Sequence, residues 1–384
     1  MKKDRAGVFI DSGVGYKAFV PKKLPPKPPI ILDAELISLL SVADRKLGRL
    51  DGITEILPDP DLFVAMYIRK EALISAQIEG TQASFIDVLE AVKDKAGEGS
   101  SVYDVVNYIA AVDFALKRVD TLPLSLRLIR EIHAVLLQEG RGSNKSPGEF
   151  RNSQNWIGFG GSISTATFIP PTVTDMQEAL YDLEAYLRND DELPALVKIA
   201  IIHSQFETIH PFLDGNGRMG RLLITFWLCQ QGILSQPLLY LSYYFKMFRN
   251  EYYDKLMAVR LNGDWEGWIK FFLKGIAFVS DEAVNSAKEI ITLRTAGAKL
   301  LSEIYPNNNN HQRLYELLFT LPVITRKDVK DLLKVSAPTA NLIVDGFLQH
   351  GILSDMQPGK KRNKRYIFTD YIVILQRGTE LSVI

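Results

Sequence analysis

One cysteine in 384 residues, Cys229, leaves nothing for an intrachain disulfide or a cysteine-ligated zinc cluster. That scarcity fits a reducing compartment, and Cys229 itself reads as a small core residue in an apolar run. Net charge is missing too: 45 basic side chains balance 45 acidic ones. The balance argues against bulk binding to nucleic acid or another polyanion, though not against a local patch. No apolar stretch is long enough for a signal sequence or a membrane span, and the chain opens on Met-Lys-Lys-Asp-Arg; a cytoplasmic protein is expected. No internal repeat or low-complexity tract stands out. What is present is an ordinary globular composition, 47% hydrophobic, long enough for two or three domains.

Against that plain background one stretch carries chemistry. Residues 210–221 read His-Pro-Phe-Leu-Asp-Gly-Asn-Gly-Arg-Met-Gly-Arg, ahead of an apolar helical run from Leu222 to Leu228. Chain leaving a Gly-Asn-Gly turn into a helix offers free backbone N–H groups at the positive end of the helix dipole, an anion site suited to phosphate. Arg218 and Arg221, three apart, share neighbouring parts of a helical face and bring two guanidinium forks. Asp214 is an oxygen ligand of the kind Mg²⁺ accepts when phosphates supply most of the rest. His210 is a candidate general base near neutral pH. The stretch reads as a site for a nucleotide polyphosphate. The bland alternative is a plain turn between helices with solvated arginines.

The same string matches, without departure, the motif His-x-Phe-x-(Asp/Glu)-Gly-Asn-Gly-Arg-x-x-Arg, and over roughly residues 20–290 the chain resembles Fic-domain proteins. Most active members of that family transfer AMP from ATP to a protein hydroxyl. The resemblance implies a catalytic set of His210, Asp214, Asn216 and Arg218. His210 would deprotonate a Ser, Thr or Tyr of a target, and Asp214 would hold Mg²⁺ bridging the phosphates. Gly215, Asn216 and Gly217 would cradle the α- and β-phosphates with Arg218, and Arg221 would reach the γ-phosphate. Phe212 reads as a core anchor for the loop. Relatives that transfer the γ-phosphate instead carry Lys at the position of Gly217, so glycine favours nucleotidyl transfer. Positioning and charge neutralisation dominate such reactions.

Upstream, Leu62 to Ile78 has helical periodicity in Phe63, Met66, Tyr67, Leu73, Ile74 and Ile78, with Gly80 as the stop. Ser75 and Glu79 share a face, and a carboxylate at a helix C-terminus is mildly unfavourable with the dipole. Ser75-Ala-Gln-Ile-Glu79-Gly80 matches the family's inhibitory motif (Ser/Thr)-x-x-x-Glu-(Gly/Asn). By resemblance Glu79 would pair with Arg221 in the place of the γ-phosphate, so that the chain inhibits itself. Between the two motifs, Gly148 to Gly158 and Phe159 to Phe168 place glycines between short β-prone patches, which predicts a small hairpin. By resemblance this is the flap, whose edge pairs with the main chain of a protein target. Thr165, Thr167 and Phe168 would border the nucleotide. Tyr243 and Tyr244, with Tyr252 and Tyr253, are candidate rings for adenine, and Asn262 a weaker contact. Helical tyrosines are more often core, and His133 and His203 read as satisfied core histidines.

The expected fold is mainly α: a Fic-type helical bundle with one small β-hairpin flap, plus a C-terminal winged-helix domain. The divisions are a Pro-rich arm at 1–30, a helical region with the inhibitory motif at 31–100, the Fic core at 101–290 and a winged-helix-like domain at 300–384. The run Pro21 to Pro29 is polyproline-like, either a packed arm or an SH3-style ligand. From His311, helices over Gln312–Thr320, Thr325–Leu333 and Ala337–His350 precede β-prone segments near Ile352 and Tyr366. The intervening stretch holds Lys360, Lys361, Arg362, Lys364 and Arg365 as a basic wing. DNA is one candidate partner through this domain; a docking or dimer role is the other. Family resemblance adds the expectation of a homodimer. Three functions compete: an autoinhibited adenylyltransferase, a nucleotide-sensing DNA-binding regulator, and a transferase of another phosphate-containing group.

Overall fold

The structure is a computed structural model that describes residues 4–55, 57, 59–94, 102–119, 121–158, 162–189, 192–306 and 308–381. It begins with a strand hairpin, β1 (Gly7–Asp11) and β2 (Lys17–Pro21), paired antiparallel with Phe9 opposite Phe19. This hairpin lies inside the stretch expected to be only a Pro-rich arm. Alternating β-prone residues either side of an Asp-Ser-Gly turn explain it. The segment after it is packed rather than free. Arg5, buried, donates to the carbonyls of Pro28, Pro29 and Gly263 and pairs with Glu266 at 2.8 Å.

Helix α1 (Ala34–Ile53) is capped by Asp33, whose side chain accepts from the Leu36 N–H, and buries Leu36, Ala43, Leu47, Leu50 and Ile53 along one face. That stripe lies along α11. Helix α2 (Pro60–Ile78) starts with Pro behind the cap Asp59 and stops at Gly80, where φ is +100°, a turn that favours glycine. Then come α3 (Phe85–Asp94), α4 (Tyr103–Val119) and α5 (Leu126–Leu136), the last two packed together. Helices α6 (Val173–Leu187), α7 (Ala195–Ile209) and α8 (Asn216–Gln230) follow; α7 and α8 form a pair buried almost all round. Next are α9 (Ser242–Met247), α10 (Arg249–Asn262) and α11 (Trp265–Ile304). The 40 residues of α11 run unbroken through the boundary expected near 290–300.

Among the described residues of the expected flap hairpin, the pairing seen is one antiparallel bridge, Ile157 with Phe168. The Thr167 and Phe168 N–H groups both turn to the Ile157 carbonyl, and Ile163–Thr165 coil into a short 3₁₀ turn capped by Ser162, so no ladder continues. Gly160 and Gly161, part of the expected hairpin, lie outside the described residues. The C-terminal part has α12 (Asn309–Thr320), β3 (Val323–Thr325), α13 (Arg326–Leu333), α14 (Ala337–Gln349), β4 (Ser354–Asp355), β5 (Arg365–Ile367) and α15 (Thr369–Leu375). Its sheet is antiparallel in the order β3-β5-β4. Strand β3, which closes that sheet, has no counterpart in the sequence reading. The chain then returns to α2: the Gln77 amide donates to the Thr379 carbonyl at 2.9 Å, and Lys246 bridges Gln77 and Gly378. Among the described residues no helix is long and apolar enough to cross a membrane.

Candidate active site

The site lies where α7 hands over to α8. Helix α7 ends on His210 in the left-handed region (φ 49°, ψ 61°), so the chain turns sharply out of the core there. Arg151 Nε and Asn155 Nδ2 donate to the His210 carbonyl at 3.0 and 3.1 Å, and Asn155 donates also to the Phe212 carbonyl at 2.9 Å. Asn216 closes the loop from the other side: its Oδ1 accepts from the Phe212 N–H and its Nδ2 donates to the Phe212 carbonyl, both at 2.8 Å. The Asn216 side chain is thus consumed in shaping the loop, and its backbone N–H is what remains for an anion. Phe212 is fully buried and stacks on His133 at 3.6 Å, as an anchor should.

His133 is core, and it also sets the loop. Its Nδ1 accepts from the Gly148 N–H at 2.9 Å, which leaves the proton on Nε2 to donate to the Asp214 carbonyl at 3.0 Å. Burial pushes this imidazole down to about 4, so it is neutral. Gly215 follows at φ 78°, and a Cβ there would press on His133 and Leu137. His203 is likewise satisfied, between the Gly220 carbonyl and the Tyr252 hydroxyl.

Helix α8 begins at Asn216, earlier than the apolar run alone indicates, with Gly215 as a cap that has no side-chain bond. Its first-turn N–H groups therefore have no intrahelical partner. A carboxylate lies beside this turn. A Cβ on Gly217 would collide with Glu79 Oε1, so the Glu79 carboxylate lies against this turn. The same oxygen accepts from Arg221 Nη2 at 2.8 Å. Arg221 also donates to the Ser75 hydroxyl at 2.9 Å and carbonyl at 3.0 Å. Burial alone would raise the Glu79 pKa, but Arg221, Arg218 and Arg141 hold it below the usual carboxylate range. Arg141 also donates to the Glu79 carbonyl.

Arg218 is buried, with Nη1 3.3 Å from Asp104 and Nη2 3.6 Å from Asp214. Asp214 Oδ1 accepts its neighbour's N–H, from Gly215 at 2.6 Å, while Oδ2 lies 3.8 Å from Arg141 Nε. No group of three or more His, Cys, Asp or Glu could hold a metal among the described residues. Asp214 is a single carboxylate of the kind a hard cation takes when other oxygens complete its shell. His210 Nδ1 is buried without a hydrogen-bond partner. Burial and the nearby Arg260 and Arg151 push its pKa down to about 3, which keeps the ring in its proton-accepting form. Glu207, raised by burial to about 7, lies against Gly220 between α7 and α8.

Other expected contacts fare differently. Thr165 is exposed in its turn, Thr167 gives its N–H to Ile157, and Phe168 is buried under Arg260 at 4.0 Å. Tyr243 and Tyr244 are not brought to the phosphate site. Tyr243 packs on Tyr240 and Lys70, and Tyr244 on Phe248 and Phe271, because α9 faces α2 and α11. Tyr252 is buried on His203. Tyr253, the most exposed ring of the four, feels the charges of Glu79 and Arg221 and packs on Tyr252 with Arg249 over it at 5.7 Å. Asn262 is exposed at the end of α10. Sequence reading missed Asp104, Arg141, Arg151 and Asn155 as builders of the site. Arg151 and Asn155 carried a faint signal, as polar residues inside the flap stretch, whereas Asp104 reads simply as a first-turn acid of α4.

Comparison with known proteins agrees with this geometry. Residues 37–117 match the model of the Fic/DOC family N-terminal region, and residues 123–228 that of the Fic/DOC family. The chain is 28% identical over 229 residues to the protein adenylyltransferase Fic of Aedes aegypti, covering 56% of this chain and 42% of that one. It is 26% identical over 218 residues to that of Drosophila grimshawi, covering 55% and 41%. A probable protein adenylyltransferase of Aquifex aeolicus is 30% identical over 177 residues, covering 45% and 51%. The chain thus spans about half or less of these curated relatives. Among solved structures, a Fic family protein from Desulfovibrio desulfuricans G20 superposes with a TM-score of 0.59 at 22% identity, covering 89% of this chain and 98% of that one. A Fic-domain signalling protein from Bacteroides thetaiotaomicron gives 0.50 at 16% identity, covering 64% and 97%. These likenesses concern the fold. Two consecutive stretches, residues 37–117 and 123–228, thus match the two Fic/DOC family models, within a mainly helical chain that shares its fold with solved Fic proteins.

Proposed function

We propose that the protein is an autoinhibited adenylyltransferase that moves AMP from ATP to a Ser, Thr or Tyr hydroxyl of a protein. The observation that carries the reading is the Glu79 carboxylate seated on the first turn of α8 and on Arg221. An anion site built from a helix N-terminus and two buried arginines is filled by an internal anion, in the place a terminal phosphate would take. Names of the relatives, protein adenylyltransferases, support the class of reaction.

In that reading the α8 N–H groups and Arg218 take the α- and β-phosphates, and Arg221 takes the γ-phosphate once Glu79 withdraws. Asp214 and phosphate oxygens would hold Mg²⁺, which when bound neutralises phosphate charge. His210 accepts the proton of the attacking hydroxyl; the hydroxyl oxygen bonds to the α-phosphorus, and the bond to the bridging oxygen breaks to release pyrophosphate. The flap beside Ile157 and Phe168 offers its main chain to the target.

The test is label transfer from ATP labelled at the α-phosphate, with Mg²⁺, by wild type, Glu79→Gly and Glu79→Gly with His210→Ala. Label on protein in the Glu79→Gly sample alone is the expected result. Equal labelling by wild type would remove the inhibition; label transferred only in a parallel reaction with γ-labelled ATP would make the chain a phosphotransferase.

A second reading, a nucleotide-sensing regulator that binds DNA phosphates, draws on the turn between β4 and β5. Lys360, Lys361 and Arg362 are exposed there, beside an open cavity of about 640 Å³ lined by Arg326, Lys327, Lys361 and Lys364. Against it, Lys364 is paired with Asp355 and Arg365 with Glu90, and α14 carries no Lys or Arg. A salt-dependent gel shift with duplex DNA decides it.

A further inference from the structure

Arg218 is only 1% exposed, yet its Nε and Nη2 have no hydrogen-bond partner. Two unspent donors on a buried guanidinium are costly, and such a group turns toward any acceptor within reach unless something fixes it. Asp104, on the first turn of α4, does so: its Oδ1 lies 3.3 Å from Arg218 Nη1. The other edge of the fork, with Nη2 3.6 Å from Asp214, then faces the carboxylate that would hold the metal.

The second oxygen of Asp104 is also used. It accepts from the Thr81 hydroxyl at 2.7 Å, with both side chains buried. Thr81 stands two residues beyond Glu79, its N–H tied back to the Ala76 carbonyl at 3.1 Å. Both cradle arginines are thereby attached to the same end of α2. Arg221 is held directly by Glu79, and Arg218 through Asp104 and Thr81.

We propose that Asp104 is a positioning residue for the transfer: it aims the free donors of Arg218 at the phosphates, and Thr81 orients Asp104. The inference rests on the adenylyltransferase reading above. Asp104→Asn keeps the size and one acceptor oxygen, with a donor amide in place of the other, but removes the charge that pins Arg218. Nucleotide affinity survives, because the guanidinium is then less neutralised, while its alignment is lost.

The measurement is the self-labelling rate of the full-length Glu79→Gly protein against the concentration of α-labelled ATP. Asp104→Asn in that background is expected to lower the maximal rate ~10-fold or more, with half-saturating ATP unchanged or lower. Thr81→Val lowers the maximal rate less, in the same pattern. A merely structural residue would lower Tm without that split between rate and saturation. Maximal rates of both variants within about twofold of the parent overturn the inference, as does a loss confined to ATP saturation. Should Asp104→Asn not fold, Thr81→Val decides alone. Absence of label in the Glu79→Gly parent would instead sink the adenylyltransferase reading.

Discussion

At the scale of single residues the site is governed by protonation states that burial imposes. His133 is pushed down to about 4 and His203 to about 3, each from an ordinary value of 6.5. A ring whose folded pKa is depressed binds its proton more weakly in the folded state. Stability from these rings is therefore full above 6.5 and is lost as the pH falls toward 4. Glu71 and Glu207 run the other way: raised by burial to about 7, they stabilise below about 4.5 and lose that contribution as the pH rises through 7. Substituting one ring separates the two trends. Between pH 6.5 and 5, Tm is expected to fall less steeply in His203→Gln than in the parent, read from thermal melts at each pH. An equal slope would mean that His203 takes up its proton as readily in the fold as in the unfolded chain.

At the scale of elements, the α7–α8 loop is held by chain far from it in sequence. Arg151 and Asn155 grip the carbonyls of His210 and Phe212, while Asn216 locks the loop to itself. Asn155→Ala removes one of the two side-chain donors at each carbonyl, leaving His210 to Arg151 and Phe212 to Asn216. In the Glu79→Gly background it is expected to slow label transfer ~10- to 100-fold while the melting temperature shifts little. A rate equal to the parent's would show that Arg151 alone fixes His210. Much of this element was legible beforehand. Gly-Asn-Gly before an apolar run marks a helix N-terminus, and the spacing of Ser75 and Glu79 puts them on one face. The flap was less legible, because its β-prone residues specify extended chain but not whether a second strand pairs with it. Tyr243 and Tyr244 follow the motif in sequence, and α9 packs them against α2 and α11.

Across the whole molecule, the ends of the chain clamp the middle. Near the start, Arg5 gathers carbonyls of Pro28, Pro29 and Gly263 and the carboxylate of Glu266, the last on the long α11. Removing one partner of a buried pair leaves the other uncompensated, a cost of ~3–5 kcal/mol. Arg5→Ala is accordingly expected to lower the unfolding free energy by about that amount, measured by urea denaturation, and a loss under about 1 kcal/mol would mean that Glu266 reaches water. At the far end, the stretch after α15 lies against α2 through Gln77, Thr379 and Lys246, on the helix that carries Glu79.

Sequence alone carried the local physics: several helical stretches, the glycine-rich turn ahead of α8, and the residue types that stand there. Those follow from spacing along one element, because periodicity and turn chemistry act over a few residues. The tertiary structure decided the partnerships. Asp104 meets Arg218 across 114 residues of chain, and Thr81 shares that carboxylate. No local signal encodes such a pairing. It is fixed by how the apolar faces of α2, α4 and α8 pack, and packing is a property of the whole buried core.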